Sequence, residues 1–246
     1  GENAMRNYKE ELEKRLGFIT ELLTESGASG IVFGNSGGKD SALVGILCKK
    51  ACENTVGIMM PCESKRNFGE DMADGMEVAD KFGIENRTVD LTDAKHAVIA
   101  AAKNVAPLTA TAISNIAPRL RMTTLYLIGQ SENRLVAGTG NASERYMGYF
   151  TKWGDGAYDF NPIADLSVSE IYEFLKCLDA PKNIISKAPS AGLFEGQTDE
   201  GEMGVTYAAI DKYMATGQAT PEDALVIERF HKRTEHKRRT PRNYGL

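Results

Sequence analysis

The segment Ile31-Val-Phe, running directly into Gly34-Asn-Ser-Gly-Gly-Lys-Asp-Ser, constrains the fold more than any other part of the chain. A short apolar run closed by glycines reads as a buried strand ending in a tight turn. Ala42 to Ala51 then reads as a helix, Thr55 to Met60 as a strand closed by Pro61, Glu70 to Phe82 as a helix, and Asn86 to Val89 as a strand after the Gly83 turn. Strand, helix, strand, helix, strand is the rhythm of parallel strands joined by crossover helices. The expected fold class is therefore α/β, a doubly wound parallel sheet flanked by helices.

The rest of the chain extends this pattern. Leu12, Leu16, Ile19, Leu22 and Leu23 recur at helical spacing between Met5 and Ser26. Helices are also expected over Ala94 to Lys103, Pro118 to Ser131, Ser167 to Leu178, Val205 to Met214 and Pro221 to about His236. Leu135 to Gly138 reads as a fourth strand entering a second glycine turn. Pro107 to Ser114 and Pro189 to Gly204 lack a usable period and read as loops. No internal repeat is present, and 246 residues suit one domain over residues 5–246, with Gly1-Glu-Asn-Ala before Met5 expected to be a cloning remnant.

Charge and composition narrow the classes. A net charge of −5 argues against a protein built to coat nucleic acid. No apolar run approaches the ~20 residues that span a bilayer. Cys48, Cys52, Cys62 and Cys177 show no C-x-x-C spacing and have three histidines to join them, so reduced thiols in a cytoplasmic protein are expected rather than zinc or disulfides. The basic run from His231 to Arg242 reads, by composition alone, as a solvated tail or as part of a site.

In an open parallel sheet, ligands bind beyond the carboxyl ends of the strands, where both glycine turns fall. Ser36-Gly37-Gly38-Lys39-Asp40-Ser41 offers exposed amides at a helix N-terminus, a cradle for phosphate. Asp40 beside such a cradle makes sense if a metal ion bridges it to phosphate, and Mg²⁺ prefers one or two carboxylates plus phosphate oxygens. A Walker A loop requires Ser or Thr directly after Gly-Lys, whereas Asp40 follows Lys39. Gly138-Thr-Gly-Asn-Ala-Ser143 ends in Ser143 where a dinucleotide fingerprint has Gly or Ala, and it follows the fourth strand rather than the first.

The pattern Ser-Gly-Gly-x-Asp-Ser after a strand resembles the pyrophosphate loop of the N-type ATP pyrophosphatases. Asn115-Ile-Ala-Pro-Arg-Leu-Arg-Met122, Leu135-Val-Ala-Gly-Thr-Gly-Asn-Ala-Ser-Glu144, Gly148-Tyr-Phe-Thr-Lys-Trp-Gly-Asp-Gly156, Pro189 to Glu200 and Glu235-His-Lys-Arg238 resemble ammonia-dependent NAD⁺ synthetases in order and spacing. The resemblance covers roughly residues 30 to 240 and implies an adenine nucleotide α-hydrolase-like fold. It implies a ligase that amidates deamido-NAD⁺ (nicotinic acid adenine dinucleotide) with ammonia at the expense of ATP, through an adenylated intermediate, releasing AMP and pyrophosphate.

Carried over by motif, the resemblance puts ATP on Gly34, Asn35, Ser36, Gly37, Gly38, Lys39, Asp40, Ser41, Thr139 and Ser190. It puts Mg²⁺ on Asp40 and Glu144, and deamido-NAD⁺ on Arg119, Lys152, Asp159, His236 and Lys237. Asp40, Glu144 and Lys39 are the implied catalytic groups. The chain departs from the family at Val168, where relatives carry a lysine on the ATP phosphates; Lys39 is expected to take over that charge. Pro118 replaces the usual alanine. Ala191 to Gly204 is the expected lid. The resemblance also implies a homodimer. Roughly 25 residues precede the first strand, too few for the nitrilase-like domain of glutamine-dependent relatives, so free ammonia is the expected nitrogen donor. A tRNA thiolase or GMP synthetase would share the first motif but lacks the later ones. A non-catalytic nucleotide-binding module would not need two metal carboxylates.

Overall fold

A computed structural model describes residues 6–190 and 198–245. Its centre is a four-stranded sheet in the order β3-β2-β1-β4, made of β1 (Gly30–Gly34), β2 (Thr55–Met59), β3 (Glu85–Thr88) and β4 (Arg134–Ala137). All three pairings are parallel, and Phe33 stands opposite Gly57 on one side and Ala137 on the other. β2 is buried along its whole length and β1 at all but its last residue, whereas the edge strand β3 has exposed ends and a half-buried middle. That difference follows from sequence: continuous apolar runs form the middle of a sheet covered on both faces, and Glu85-Asn-Arg-Thr suits its rim.

Helices cover both faces. On one face pack α1 (Tyr8–Ser26), α2 (Lys39–Ala51), α3 (Met72–Phe82), α8 (Val168–Cys177) and α9 (Lys182–Ser186), around Phe33, Leu43, Ile46, Leu47, Ile171 and Phe174. Gly45 lets α2 close on the sheet, because a Cβ there would lie 2.6 Å from the Phe33 ring. On the opposite face α4 (Thr92–Ala102) and α6 (Ile116–Ser131) cover Val32, Val56, Ile58 and Val136, with α5 (Ala110–Ser114) leading into α6. A satellite cluster around Met147, Val168, Tyr207, Ile210 and Ile227 joins α7 (Ala142–Met147) to α10 (Asp199–Met203), α11 (Tyr207–Thr216) and α12 (Pro221–Arg233). A doubly wound sheet is thus what the strand–helix rhythm predicts.

The differences from expectation lie in short elements. α2 begins at Lys39, three residues earlier than its apolar pattern, so Lys39, Asp40 and Ser41 form its first turn. α5 and α10 lie inside the two expected loops, each started by a threonine cap, Thr109 and Thr198. A π-helical turn, Asn67–Asp71, precedes α3. Five residues are too few to show a 3.6-residue period, so caps rather than periodicity carry the signal for such helices. Of the expected lid, residues 191–197 lie outside the described residues. Among the described residues, no helix is long and apolar enough to cross a membrane.

Candidate active site

The glycine turn after β1 and the glycine turn after β4 meet at the carboxyl edge of the sheet, around a cavity of about 850 Å³. That volume lies within the range of nucleotide and drug-sized ligand sites. Gly37 makes the first turn possible. Its φ is +77°, and a Cβ there would stand 2.1 Å from the Asp71 carbonyl oxygen. Gly38 caps α2 without any side chain accepting from the helix amides, so the N-terminus is left open toward the cavity. Ser36 and Ser41 hold the turn through their hydroxyls, 3.0 Å apart, with Ser41 Oγ also accepting from Ser36 N. Asn35 points back into the fold, where its Nδ2 donates to the Gly75 carbonyl at 3.0 Å.

The second turn supplies the opposing carboxylate. Asn141 starts α7 with a reciprocal capping box: its Oδ1 accepts from Glu144 N at 2.9 Å, and Glu144 Oε2 accepts from Asn141 N at 3.0 Å. The box fixes where Glu144 points. Asn141 Nδ2 donates across to Asp40 Oδ1 at 3.1 Å, so one fully buried amide joins the two turns. Gly138 lies against Tyr158, whose ring would be 2.3 Å from an added Cβ, and this close contact seats the turn. Thr139 and Ser190 both line the cavity.

Lys39 pairs with one of the acids. Its Nζ donates to Asp40 Oδ2 at 2.7 Å and sits 5.9 Å from the centroids of both the Tyr172 and Tyr207 rings. Burial alone would lower its pKa, but the charges of Asp40 and Glu144 outweigh burial and raise it, so it is a firm cation. Burial pushes Glu144 well above the usual carboxylate range; Asp40 adds to the rise and Lys39 opposes it. Val168 sends no charge into this space. Its side chain is packed in the satellite core, and its backbone N–H is taken by Ser143 Oγ at 3.1 Å.

The residues implied for deamido-NAD⁺ fall on two sides of the Gly148–Gly156 loop. Lys237 lines the cavity, its Nζ donating to the carbonyls of Gly148 at 2.8 Å and Phe150 at 2.6 Å. The basic tail is therefore folded onto the site rather than frayed. Arg119, Lys152 and His236 cluster on the outer side: Arg119 donates to the Lys152 carbonyl at 3.2 Å, and Lys152 Nζ lies 3.3 Å from His236 Nδ1. Trp153 projects beside them, half-exposed, with Lys152 Nζ 5.6 Å from its ring. Asp159 is tied to the sheet edge, accepting from Val136 N at 2.8 Å and from the Tyr126 hydroxyl at 3.1 Å.

Arg121, Asp155, Lys187 and Asp199 are among the cavity-wall residues that the sequence did not single out. Arg121 holds the Met60 carbonyl at 3.0 Å and Asn67 Oδ1 at 3.2 Å. Asp155 is a buried carboxyl accepting from Thr151 N at 2.8 Å, and burial raises its pKa. Lys187 joins Asp71 and Asp74, each at 2.7 Å, and reaches the Gly37 carbonyl at 3.4 Å. Asp199 accepts from the Tyr207 hydroxyl at 2.9 Å. Arg121, Asp155 and Asp199 stand inside quoted motifs and Lys187 two residues before one, but a motif does not say which of its members faces inward.

The donor set suits magnesium. Two carboxylates face one phosphate cradle, and among the described residues no group of three or more His, Cys, Asp or Glu gathers into a cluster that could hold a metal ion by itself. A hard cation held there would need further oxygens, of the kind that phosphates carry.

Comparison with known proteins gives the family. Residues 11–241 match the NAD synthase family. The NH₃-dependent NAD⁺ synthetase of Carboxydothermus hydrogenoformans is 46% identical over 238 residues, covering 96% of this chain and 97% of that one. The structure of NMN synthetase from Francisella tularensis superposes with a TM-score of 0.93 at 38% identity, covering 98% of this chain and 100% of that one. The NH₃-dependent NAD synthetase from Campylobacter jejuni gives 0.80 at 30%, over 97% and 99%. With the open cradle after β1, the paired acids and a match running nearly end to end, the chain belongs to the NAD synthase family.

Proposed function

We propose that this protein converts deamido-NAD⁺ to NAD⁺ with ATP and ammonia, through an adenylated carboxyl, releasing AMP and pyrophosphate. The observation that carries the reading is the pairing of Asp40 and Glu144 across one cavity, beside the open N-terminus of α2. In this reading Asp40 and Glu144 hold Mg²⁺, which when bound screens the phosphate charge that would repel an incoming carboxylate.

The remaining work falls to the chain. The Gly37, Gly38 and Lys39 amides, with the Ser36 and Ser41 hydroxyls, hold the departing pyrophosphate. Lys39 is the cation nearest the metal acids and provides the positive charge that Val168 cannot. Thr139 and Ser190 contact the nucleotide from the far wall. Arg119, Lys152, His236 and Lys237 bind the phosphates and carboxylate of the dinucleotide, and Asp159 keeps β4 in register beneath them. At neutral pH ammonia arrives mostly as ammonium and must lose a proton before it attacks. Asp155, a buried carboxyl of raised pKa on the same cavity, is placed to accept it. A cytoplasmic homodimer of one catalytic domain, residues 5–246, completes the reading.

A second substrate has one specific observation in its favour, the similarity to the Francisella tularensis NMN synthetase. Nicotinic acid mononucleotide carries the same nicotinate carboxyl and lacks the adenylate half. The test is to supply MgATP and ammonium with either the dinucleotide or the mononucleotide, and to follow AMP alongside the amide. NAD⁺ and AMP in equal amounts, at a higher kcat/KM than for the mononucleotide, are expected. Preference for the mononucleotide would move the substrate, and absence of AMP with both would overturn the adenylation reading.

A further inference from the structure

Both oxygens of Asp40 are taken within the protein. Oδ1 accepts from Asn141 Nδ2 at 3.1 Å, and Oδ2 accepts from Lys39 Nζ at 2.7 Å. Glu144 Oε2 is likewise engaged in its capping box. The site that should attract a divalent cation therefore holds an ammonium already.

The placement of Lys39 is not what its position on the helix would give by default. Adjacent residues on a helix project in different directions and do not normally meet. Lys39 and Asp40 are the first two residues of α2, yet their side chains form a close ion pair. The lysine is 5% exposed, and its ammonium sits near the faces of Tyr172 and Tyr207. Ring faces are negative and attract a cation, so these two tyrosines form a pocket that favours this orientation. The lysine's charge is thus spent on the Asp40 carboxylate. Among the described residues no third acid joins the pair in a group able to hold a metal ion.

We infer that Lys39 is a resident counter-ion of the proposed metal acids in the nucleotide-free enzyme, so that divalent metal enters with the nucleotide and not ahead of it. The inference rests on the proposed roles of Asp40 and Glu144 as metal ligands. Polyphosphate supplies what the apo site lacks: oxygens to complete the coordination, and negative charge for the Lys39 ammonium to turn toward when it leaves Asp40. Lys39 is in this sense a positioning residue for the order of binding, a role distinct from contributing to turnover.

The test is binding of Mn²⁺, followed by the loss of the free-ion electron paramagnetic resonance signal, with and without a non-hydrolysable ATP analogue, each nucleotide titration being referenced to the same analogue without protein so that only protein-dependent binding is counted. Wild type is expected to bind Mn²⁺ weakly alone and at least tenfold more tightly with the analogue. Lys39→Gln is expected to bind Mn²⁺ at least tenfold more tightly than wild type without nucleotide, and Lys39→Arg, which keeps the charge, to stay near wild type. A tight nucleotide-free site in wild type would overturn the inference even if Lys39→Gln failed to fold. So would equal nucleotide-free affinities for wild type and a folded Lys39→Gln. Asp40→Asn separates this from failure of the underlying reading. If nucleotide-dependent Mn²⁺ binding survives Asp40→Asn, the acid pair is not the metal site; if it is lost while Lys39→Gln changes nothing, only the counter-ion role is wrong.

Discussion

Asn141 is the side chain whose removal tests the architecture of the site most sharply. It is fully buried, caps α7 through Glu144 N at 2.9 Å, and donates to the Asp40 carboxylate at 3.1 Å. Replacement by alanine removes an N-cap, worth ~1 kcal/mol. It also removes a hydrogen bond to a charged group, worth ~1.5–3 kcal/mol. Together these come to about 3 kcal/mol, and a chain of this size shifts its melting midpoint by ~2–4 °C per kcal/mol. Asn141→Ala is expected to melt ~6–12 °C below wild type. Asn141→Asp keeps an acceptor for the cap but loses the donor and sets a second carboxylate against Asp40, so above the carboxylate range it should lose at least as much stability as Asn141→Ala, together with turnover. Thermal unfolding by circular dichroism, paired with AMP release, measures both. A midpoint shift under about 2 °C for Asn141→Ala, or wild-type turnover for Asn141→Asp, would refute the claim that this amide ties the two turns together.

Other residues make equally specific claims. Lys187→Met leaves the buried Asp74 and the half-buried Asp71 without their shared cation, with Arg66 still 3.4 Å from Asp71; breaking a fully buried pair costs ~3–5 kcal/mol, and chemical denaturation should show a loss at the lower end of that range. Gly37→Ala forces a Cβ into the Asp71 carbonyl at positive φ, so the ATP Michaelis constant should rise at least tenfold, and an unchanged value would contradict the cradle geometry. Burial raises the Asp155 pKa in the folded state, so its contribution to stability is complete below the unfolded value of about 3.9 and is lost as pH rises through the folded value. Asp155→Asn should therefore unfold at a higher temperature than wild type near pH 8, with the gap closing below about pH 4. Its turnover with ammonium should fall ~100-fold or more near neutral pH and recover in part under alkaline conditions, where free ammonia is plentiful.

How much of this was legible in the sequence depends on the kind of signal each residue carries. β1, β2 and β4 were visible because buried parallel strands are short apolar runs bounded by glycine or proline, and Gly30–Gly34 with Thr55–Met59 fit that description. Even the polar edge strand β3 could be placed, since Gly83 marks where its helix must end. α7 was missed because six residues carry no period, although Asn141 and Glu144 three apart are a capping box and could have been read as one. The glycine loop was legible because Gly37 needs a backbone conformation that few other residues adopt easily. Asp155 and Lys187 were not, because a carboxylate or an ammonium looks the same in sequence whether it faces water or is buried against a cavity. Asp159 adds that one charged residue can also hold the fold, here the β4 backbone.

The central claim is that this cavity adenylates a carboxylate. It is tested most directly with deamido-NAD⁺ labelled with oxygen-18 in its nicotinate carboxyl, turned over with MgATP and ammonium, and with the AMP examined by mass spectrometry. One labelled oxygen per AMP formed is the predicted result, because the carboxyl oxygen that attacks the α-phosphate leaves with it. Unlabelled AMP, or ADP with the label in inorganic phosphate, would contradict the account.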